Sequence, residues 1–442
     1  EGPVLVDFSL RSRGYRDYLD FTDVVIIDDR GMGHSQPRLT CTDNPKPADF
    51  MKPTEEQRVL ILSYIERCRE EHAEAGADLA GYTITEVAHD FEDLRQALGY
   101  GKVVVQGSSF GSQTAFAVMK MFPDSVARAY LGGLEGLSDT YDYPIEIQDA
   151  VTALIHHANG NSALRRQLPR QDMGHTLKTI FTNLEERPRT IVIKGPNGEP
   201  AELLLDHRTV GQVLLSLGML RYRGDTPPFD DGGASEILPT LLALYYEAYD
   251  GIAHLLAKEL GADEEGVTLN ASALAIDCAS GVSPARRAEI ATQGAALATD
   301  IMFTPLGFEG LVRGNPDFAC EAMKVPDLGD AWREDTASSV PVLFVHGDFD
   351  GATPPNNAAR LIRKFDQGKL IMVQGAAHYR LEMEYLSPEL KEWRRSFVET
   401  GTLPDDLPQN ISLPPIEFDT VPTPVLWAFK LGLGNQMLRF AK

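Results

Sequence analysis

Two hydrophobic periodicities alternate along this chain. Short apolar runs, which are typical of buried strands, lie at residues 103–105, 126–131, 340–345 and 369–373. Segments with apolar residues three or four positions apart separate them, as at 87–98, and these segments predict amphipathic helices. Strands joined by helices in this way are typical of a mostly parallel sheet flanked by helices. The pattern therefore predicts the α/β fold class.

The pattern extends towards the beginning of the chain. Residues 23–27 (Asp-Val-Val-Ile-Ile) predict another buried strand, which leads into a turn rich in glycine and charge at 28–35. A helix is expected at 54–75. Thr83 and Glu86 form the capping-box pattern that begins the next helix.

The helical pattern takes over between residues 137 and 338. One hairpin interrupts it at 190–205, with Gly-Pro-Asn-Gly at its turn. We interpret 137–338 as a mainly helical cap inserted between two parts of an α/β core, 1–136 and 339–442. The second part ends in a proline-rich stretch, expected to cross the surface without regular structure, and in an apolar tail expected to pack against the protein.

The candidate chemistry begins where the first of these apolar runs ends. The sequence there is Gly-Ser-Ser-Phe-Gly at 107–111, and helical spacing resumes directly afterwards. Strand, tight turn and helix are the context in which G-x-S-x-G forms a nucleophile elbow, whereas the pentapeptide alone is also compatible with an ordinary loop. The glycine spacing selects Ser109 rather than Ser108. We expect Gly107 and Gly111 to be required, because a side chain at either would clash with the neighbouring strand or helix.

Two further candidates follow later strands. Asp350 lies just beyond the apolar run at 340–345, and His378 follows the run at 369–373. Serine, acid and histidine in this order, each after its own strand, are typical of a serine activated by a histidine that an aspartate orients. Taken singly, each is also compatible with an ordinary turn residue. Asp348 is the alternative acid, and we expect it to cap the turn instead.

An oxyanion donor is expected at the same turn. The backbone N–H of Phe110 lies at the start of the predicted helix, where N–H groups have no intrahelical acceptor. A second donor is expected from a loop after an early strand.

Charge and composition limit the classes of partner that the chain could bind. The chain has 442 residues with 64 acidic and 41 basic side chains, which gives a formal net charge of −23. Such a charge argues against nucleic acid or an anionic membrane as a partner. No apolar run is long enough to span a bilayer, and no metal or organic cofactor is indicated.

The four cysteines fall into two local pairs. No C-x-x-C pair is present, which makes a zinc ribbon an unfavourable interpretation. The even count favours the disulfides Cys41–Cys68 and Cys278–Cys320, and with them a secreted or periplasmic protein. Four buried thiols in a cytosolic enzyme are the alternative.

Together, these motifs resemble the tripeptidyl aminopeptidase branch of the α/β-hydrolases, to which prolyl aminopeptidases are closely related. The resemblance rests on the elbow at 107–111, the turn at 28–35 (D-x-R-G-x-G-x-S), the acid motif at 347–354 (G-x-x-D-x-x-T-P) and the turn at 375–378. It extends over almost the whole chain and includes the paired cysteines. The motifs are not specific for a substrate.

This resemblance implies an α/β-hydrolase fold and a Ser109–His378–Asp350 triad that forms an acyl-enzyme. The family usually has H-G-G-P-G before the D-x-R-G turn, whereas this chain begins with Glu-Gly-Pro. The resemblance therefore makes the N–H of Gly2 the second oxyanion donor. It also implies that the natural protein has several tens of further residues before this point.

Aminopeptidases of this kind need an acidic group in the cap to hold the free amine of the substrate, because a charged amine buried without a partner is costly. Glu135, at the entrance to the cap, is the first candidate, and Glu236 and Glu247 are others. Solvated surface carboxylates are the alternative for each of them.

We therefore expect an exopeptidase that removes residues from the N-termini of peptides. A carboxylesterase or amidase that acts on small hydrophobic esters with the same triad is the second hypothesis. A non-catalytic binding protein on a hydrolase fold is the third. It ranks last because all three triad candidates are present.

Overall fold

A computed structural model describes residues 17–45, 49, 54–194, 200–207, 237–249, 268–297, 316–335, 337–378, 380–414 and 420–433. The strands in these ranges are β1 Val103–Ser109, β2 Val126–Leu134, β3 Arg189–Lys194, β4 Pro200–Leu205, β5 Val342–Gly347, β6 Gly368–Gln374 and β7 Asn410–Ser412. The helices are α1 Thr54–Glu74, α2 Ile84–Ala97, α3 Phe110–Met121, α4 Pro144–Gly160, α5 Ser162–Gln167, α6 Met173–Glu186, α7 Ile237–Tyr245, α8 Ala271–Ser280, α9 Pro284–Leu297, α10 Pro316–Met323, α11 Asp330–Arg333, α12 Pro355–Leu361, α13 Arg380–Leu386, α14 Pro388–Thr400 and α15 Thr423–Lys430.

The central sheet is parallel, in the order β1-β2-β5-β6-β7. Adjacent residues of its strands point to opposite faces. In β5, Phe344 packs on one face against Phe116 of α3, whereas Leu343 and Val345 pack on the other with Phe397 of α14. The sheet is thus buried on both faces, which explains why its strands read as continuous apolar runs. The predicted α/β fold is confirmed.

Two details at the ends of the sheet differ from the prediction. Residues 23–27 form no regular strand, and Asp23 and Val25 are exposed. A strand needs a hydrogen-bonded neighbour, and no described segment supplies one to these residues. The proline-rich stretch does contain a strand, because β7 pairs in parallel with β6 through Met372 and Gln374. A three-residue edge strand is too short to show a hydrophobic period.

The helical block divides into two groups. Helices α4 to α7 and the β3–β4 hairpin share one apolar core, into which Val421 and Phe429 also pack from the C-terminal part of the chain. The predicted packing of the apolar tail therefore holds for its described part. Helices α8 and α10 instead pack on α1, so this second part of the block is attached to the first part of the core.

Both predicted disulfides are present, and both lie in the apolar cluster where this second group packs on α1. Cys41–Cys68 joins the loop before α1 to α1 itself, with 5.2 Å between the Cα atoms. Cys278–Cys320 joins α8 to α10 at the same Cα separation of 5.2 Å. No described helix is both long and apolar enough to cross a bilayer.

Candidate active site

The elbow at the end of β1 places Ser109 in a strained backbone conformation. Ser109 has φ of 58° and ψ of −135°, a region that side chains rarely adopt. It is the last residue of β1 and directly precedes Phe110, the first residue of α3. Gly107 allows this sharp turn, because a Cβ at that position would lie 2.1 Å from the carbonyl oxygen of Gly111.

The expectation that Gly111 is also required is wrong for the part of the chain that the structure describes. A Cβ built on Gly111 meets no described atom within 4 Å apart from its chain neighbours and the backbone of its own helix. The atoms nearest to a Cβ on Gly107 instead belong to the backbone of Gly111 and Ser112, so the two glycines of the motif have different roles.

The candidate oxyanion donor Phe110 lies at the start of α3. Phe110 is the first residue of this helix, so its N–H has no intrahelical acceptor. The helix dipole places partial positive charge at the same end. The predicted second donor, Gly2, lies outside the described residues.

Asp350 and His378 meet at the carboxyl ends of β5 and β6. His378 Nδ1 lies 2.9 Å from Asp350 Oδ2 and 3.1 Å from Asp350 Oδ1. Asp350 is fully buried and His378 is 8% exposed. The Asp350 carboxylate also accepts hydrogen bonds from the N–H of Ala352 (2.9 Å), the N–H of Thr353 (2.9 Å) and the hydroxyl of Thr353 (2.8 Å).

These partners keep Asp350 ionised. Burial alone raises the pKa of this carboxyl, but the charge and hydrogen bond of His378, then His346 and the Thr353 N–H, outweigh burial and lower the pKa of Asp350 below its ordinary value. An ionised Asp350 fixes the Nδ1–H tautomer of His378 and leaves Nε2 as the basic nitrogen.

Gly133 brings the histidine and the serine to the same place. β1 and β2 pair with an irregularity at their ends, so that Ser109 lies opposite Leu134 and Gly133 bulges between them. A Cβ on Gly133 would lie 2.8 Å from His378 Cε1 and 3.1 Å from the backbone N of Ser109. The predicted serine, acid and histidine therefore lie together at one end of the sheet.

Asp348, the alternative acid, has a different position. Its Oδ1 accepts the N–H of Gly375 at 2.9 Å, and its Oδ2 lies 3.2 Å from His157 Nε2 on α4. It thus ties the loop before His378 to the cap, in agreement with the expected turn-capping role.

Carboxylates crowd the base of the cap beside this site. The half-buried Glu135 follows β2 directly, and its backbone N–H donates to Ser112 of α3. Burial, followed by the charges of Asp142, Asp277 and Asp139, raises the pKa of Glu135 well above its ordinary value. Asp139 has cationic partners in two arginines, Arg286 and Arg360. Among the described residues, none of the groups that influence Glu135 is a cation.

Sequence reasoning did not find Asp277. This residue lies on α8, and desolvation by the surrounding protein raises the pKa of Asp277 to about 6. Helical periodicity places it on a helix but gives no sign that α8 faces the end of β2. Of the other amine candidates, Glu247 is paired with Arg187 and Arg189, and Glu236 lies outside the described residues.

The charged, glycine-rich turn at 28–35 makes structural contacts in the described chain. Asp28 accepts the N–H of His34 at 2.7 Å, and Arg30 binds Asp90 of α2 through two nitrogens at 2.7 Å each. Arg30 also donates to the carbonyl of Gly81 at 2.6 Å. The turn thus holds α2 through Asp90 and the segment before α2 through Gly81.

Comparison with known families agrees with this fold. A model of the α/β-hydrolase fold matches residues 18–194, which contain the elbow. A second model, described as TAP-like protein, matches residues 310–409, which contain Asp350 and His378. The chain is an α/β-hydrolase with a TAP-like C-terminal region.

Individual relatives match this hydrolase over different lengths. The Escherichia coli (strain K12) protein YuaR is 23% identical over 372 residues, 80% of this chain and 67% of that protein. Tripeptidyl aminopeptidases of Streptomyces lividans and Streptomyces coelicolor are 35% identical over 118 residues. That region is 24% of this chain and only 21% and 20% of the two enzymes.

Solved structures are more distant. An esterase from Thermogutta terrifontis has a TM-score of 0.27 and 15% identity, over 72% of this hydrolase and 74% of that chain. This likeness supports no conclusion about substrate.

One cluster has the residue types of a metal site. The sulfurs of Cys41 and Cys68 and a ring nitrogen of His72 lie within 4.8 Å of one another. The two sulfurs are joined in a disulfide, which removes both thiolate ligands. The candidate residues Ser109, His378 and Asp350 offer an alcohol, an imidazole and a carboxylate, which are groups that nucleophilic catalysis uses.

Proposed function

We propose that this chain is a serine hydrolase that removes residues from the N-termini of peptides through an acyl-enzyme. The observation that carries the proposal is the approach of Ser109, on its positive-φ turn, and of the His378–Asp350 pair to the two sides of Gly133. A strained nucleophile, a buried base and an ionised acid at one end of a parallel sheet are the parts that acyl transfer needs.

In this mechanism the Ser109 oxygen attacks the carbonyl carbon of the scissile amide while His378 Nε2 takes the hydroxyl proton. Asp350 stabilises the imidazolium that forms. The tetrahedral oxyanion accepts the N–H of Phe110, with Gly2 proposed as the second donor. His378 then gives the proton to the departing amine, which leaves the acyl group on Ser109. A water molecule repeats the sequence and releases the acid.

The proposal of a free-amine substrate rests on Glu135 and Asp277. A raised pKa is the sign of a carboxylate desolvated without a cation, and Asp277 is one of the charges that raise the pKa of Glu135. A substrate ammonium group placed between them would supply the missing positive charge and return both groups to the ionised form. The names of the Streptomyces relatives agree with this substrate class.

The two disulfides support a further part of the proposal, a secreted or periplasmic location. Disulfides form and persist in oxidising compartments, whereas cytosolic reductants keep thiols reduced.

A matched substrate set tests the function. The full chain, Ser109→Ala, Glu135→Gln and Asp277→Asn would be assayed on an alanyl-alanyl-prolyl chromogenic amide, its N-acetylated twin, a prolyl amide and a short-chain p-nitrophenyl ester. We expect cleavage of the free-amine peptides only, and no cleavage by Ser109→Ala. Loss of a charged hydrogen bond, about 1.5–3 kcal/mol, would raise KM about 10- to 150-fold in the carboxylate variants.

Glu202→Gln, on the exposed face of β4, is the matched control and should leave KM unchanged. Cleavage of the ester alone would replace the aminopeptidase proposal with a carboxylesterase. Failure of a fluorophosphonate probe to label Ser109 in the folded protein would refute a serine hydrolase altogether.

A further inference from the structure

A second histidine lies beneath the candidate triad. His346 lies near the carboxyl end of β5, the central strand of the sheet, and is completely buried. Its Nδ1 accepts the backbone N–H of Leu134 at 3.1 Å, and its Nε2 lies 2.9 Å from the carbonyl oxygen of Thr353. Leu134 is the residue opposite Ser109, and Thr353 belongs to the loop that holds Asp350.

The two partners fix the tautomer of His346. A backbone N–H can only donate, so Nδ1 of His346 carries no proton. A carbonyl oxygen can only accept, so Nε2 carries the single proton and donates it to Thr353. Burial, the largest influence, lowers the pKa of His346 and keeps the ring neutral. Both nitrogens are therefore used, and the ring has one orientation.

A chain of hydrogen bonds leads from His346 to the base. Thr353, whose carbonyl His346 holds, donates its own N–H and its hydroxyl to the two oxygens of Asp350. Asp350 in turn holds His378. His346 Nε2 also lies 3.7 Å from Asp350 Oδ2, so the ring lies beside the carboxylate as well.

We propose that His346 is a positioning residue, which fixes the distance between the serine elbow and the acid loop and so holds Asp350 against His378. This inference rests on the proposed serine-hydrolase function. A leucine at position 346 would fill similar volume but leave the N–H of Leu134 and the carbonyl of Thr353 unpaired in the core. The acid loop would then be free to move relative to the elbow.

The direction in which the pKa of His378 would change follows from the groups around it. The titratable and charged groups around this site are His346 on β5, Asp348 and Asp350 on the loop after it, His157 on α4, and Arg380 with Glu384 on α13. Of these, the Asp350 carboxylate in contact with Nδ1 favours the protonated ring of His378. A looser contact would lower the pKa of His378, and the acid limb of the kcat/KM profile would move to lower pH.

Three variants test this role. We expect His346→Leu to lower kcat about tenfold or more with KM nearly unchanged, since the loss is one of geometry at the reacting groups. His346→Gln, whose amide offers one donor and one acceptor, should recover most of kcat. Val345→Ala removes buried volume from the neighbouring position of β5 and should leave the pH profile unchanged.

A second measurement needs no turnover. The ring of His378 would be titrated by NMR with labelled histidine, its signal assigned through His378→Gln, in each of the three backgrounds. We expect the pKa of His378 to fall by about half a unit or more in His346→Leu only. An unchanged pKa, with a kcat loss no greater than in Val345→Ala, would overturn the proposal. An inactive wild type would refute the proposed function yet leave this titration decisive.

Discussion

The two glycines of the elbow offer a matched test of how the nucleophile is positioned. Gly107→Ala and Gly111→Ala add the same single methyl group within five residues of each other. The Gly107 methyl would lie 2.1 Å from the Gly111 oxygen, 2.5 Å from the Gly111 carbonyl carbon and 2.9 Å from the Ser112 nitrogen. All three atoms are backbone, so no side chain can rotate away.

The expected magnitude follows from that overlap. Ordinary contact begins at 3.4 Å, so the Gly111 oxygen must retreat by 3.4 − 2.1 = 1.3 Å. Overpacking in a core costs about 1–3 kcal/mol of stability, and a displacement of about 1 Å at a reacting group costs about 100-fold in rate. We therefore expect Gly107→Ala to be about 1–3 kcal/mol less stable than the wild type and to react about 100-fold more slowly. Gly111→Ala should keep its rate, and stability should rise by about 0.5–1 kcal/mol, because alanine is the better helix former.

The measurements are the rate of fluorophosphonate labelling of Ser109 and urea unfolding of the same samples. Labelling reports the nucleophile without any assumption about substrate. Equal labelling rates in the two variants, whether both fast or both slow, would refute the steric account of the elbow.

Two predictions concern stability. The Cys278–Cys320 crosslink joins residues 42 positions apart, and its loss should lower the free energy of unfolding by about 2–4 kcal/mol. Urea unfolding of the double serine variant measures this change, and an unchanged midpoint would contradict the prediction. The pKa of Asp277, raised from 3.8 to about 6, means that the folded chain keeps this proton to higher pH than the unfolded chain, so ionisation costs stability as pH rises through that window. Urea titrations across the window should show a fall in stability that Asp277→Asn reduces, and equal slopes for the two proteins would count against it.

Local patterns were sufficient to predict the elements that carry the site. Ser109, Asp350 and His378 each follow a short apolar run, and the ends of parallel strands meet at one edge of a sheet. The N-cap at Thr83 was equally local, since its side chain accepts the N–H of Glu86 only three residues on. Such signals need no knowledge of tertiary packing.

The remaining features depend on contacts between distant segments. His346 reads as one more residue of a buried strand, and its role depends on Leu134, which is 212 positions away. Asp277 is a polar position on a helix until α8 is placed against the core. Gly111 is the opposite case. Its place in the G-x-S-x-G motif led us to expect crowding, and only the positions of the described atoms around it show that there is none.

The apolar core shared by α4 to α7 and the β3–β4 hairpin has a consequence for the order of folding. Gln167 and the backbone of Val421 exchange two hydrogen bonds across 254 positions, and Phe429 fills the same apolar core as α4 and α6. A ribosome therefore has to finish β5, β6 and β7 before this core can close. Until then, the apolar faces of α4 and α6 remain available to chaperones or to aggregation. This helical group is thus completed only after the sheet that holds Ser109, Asp350 and His378.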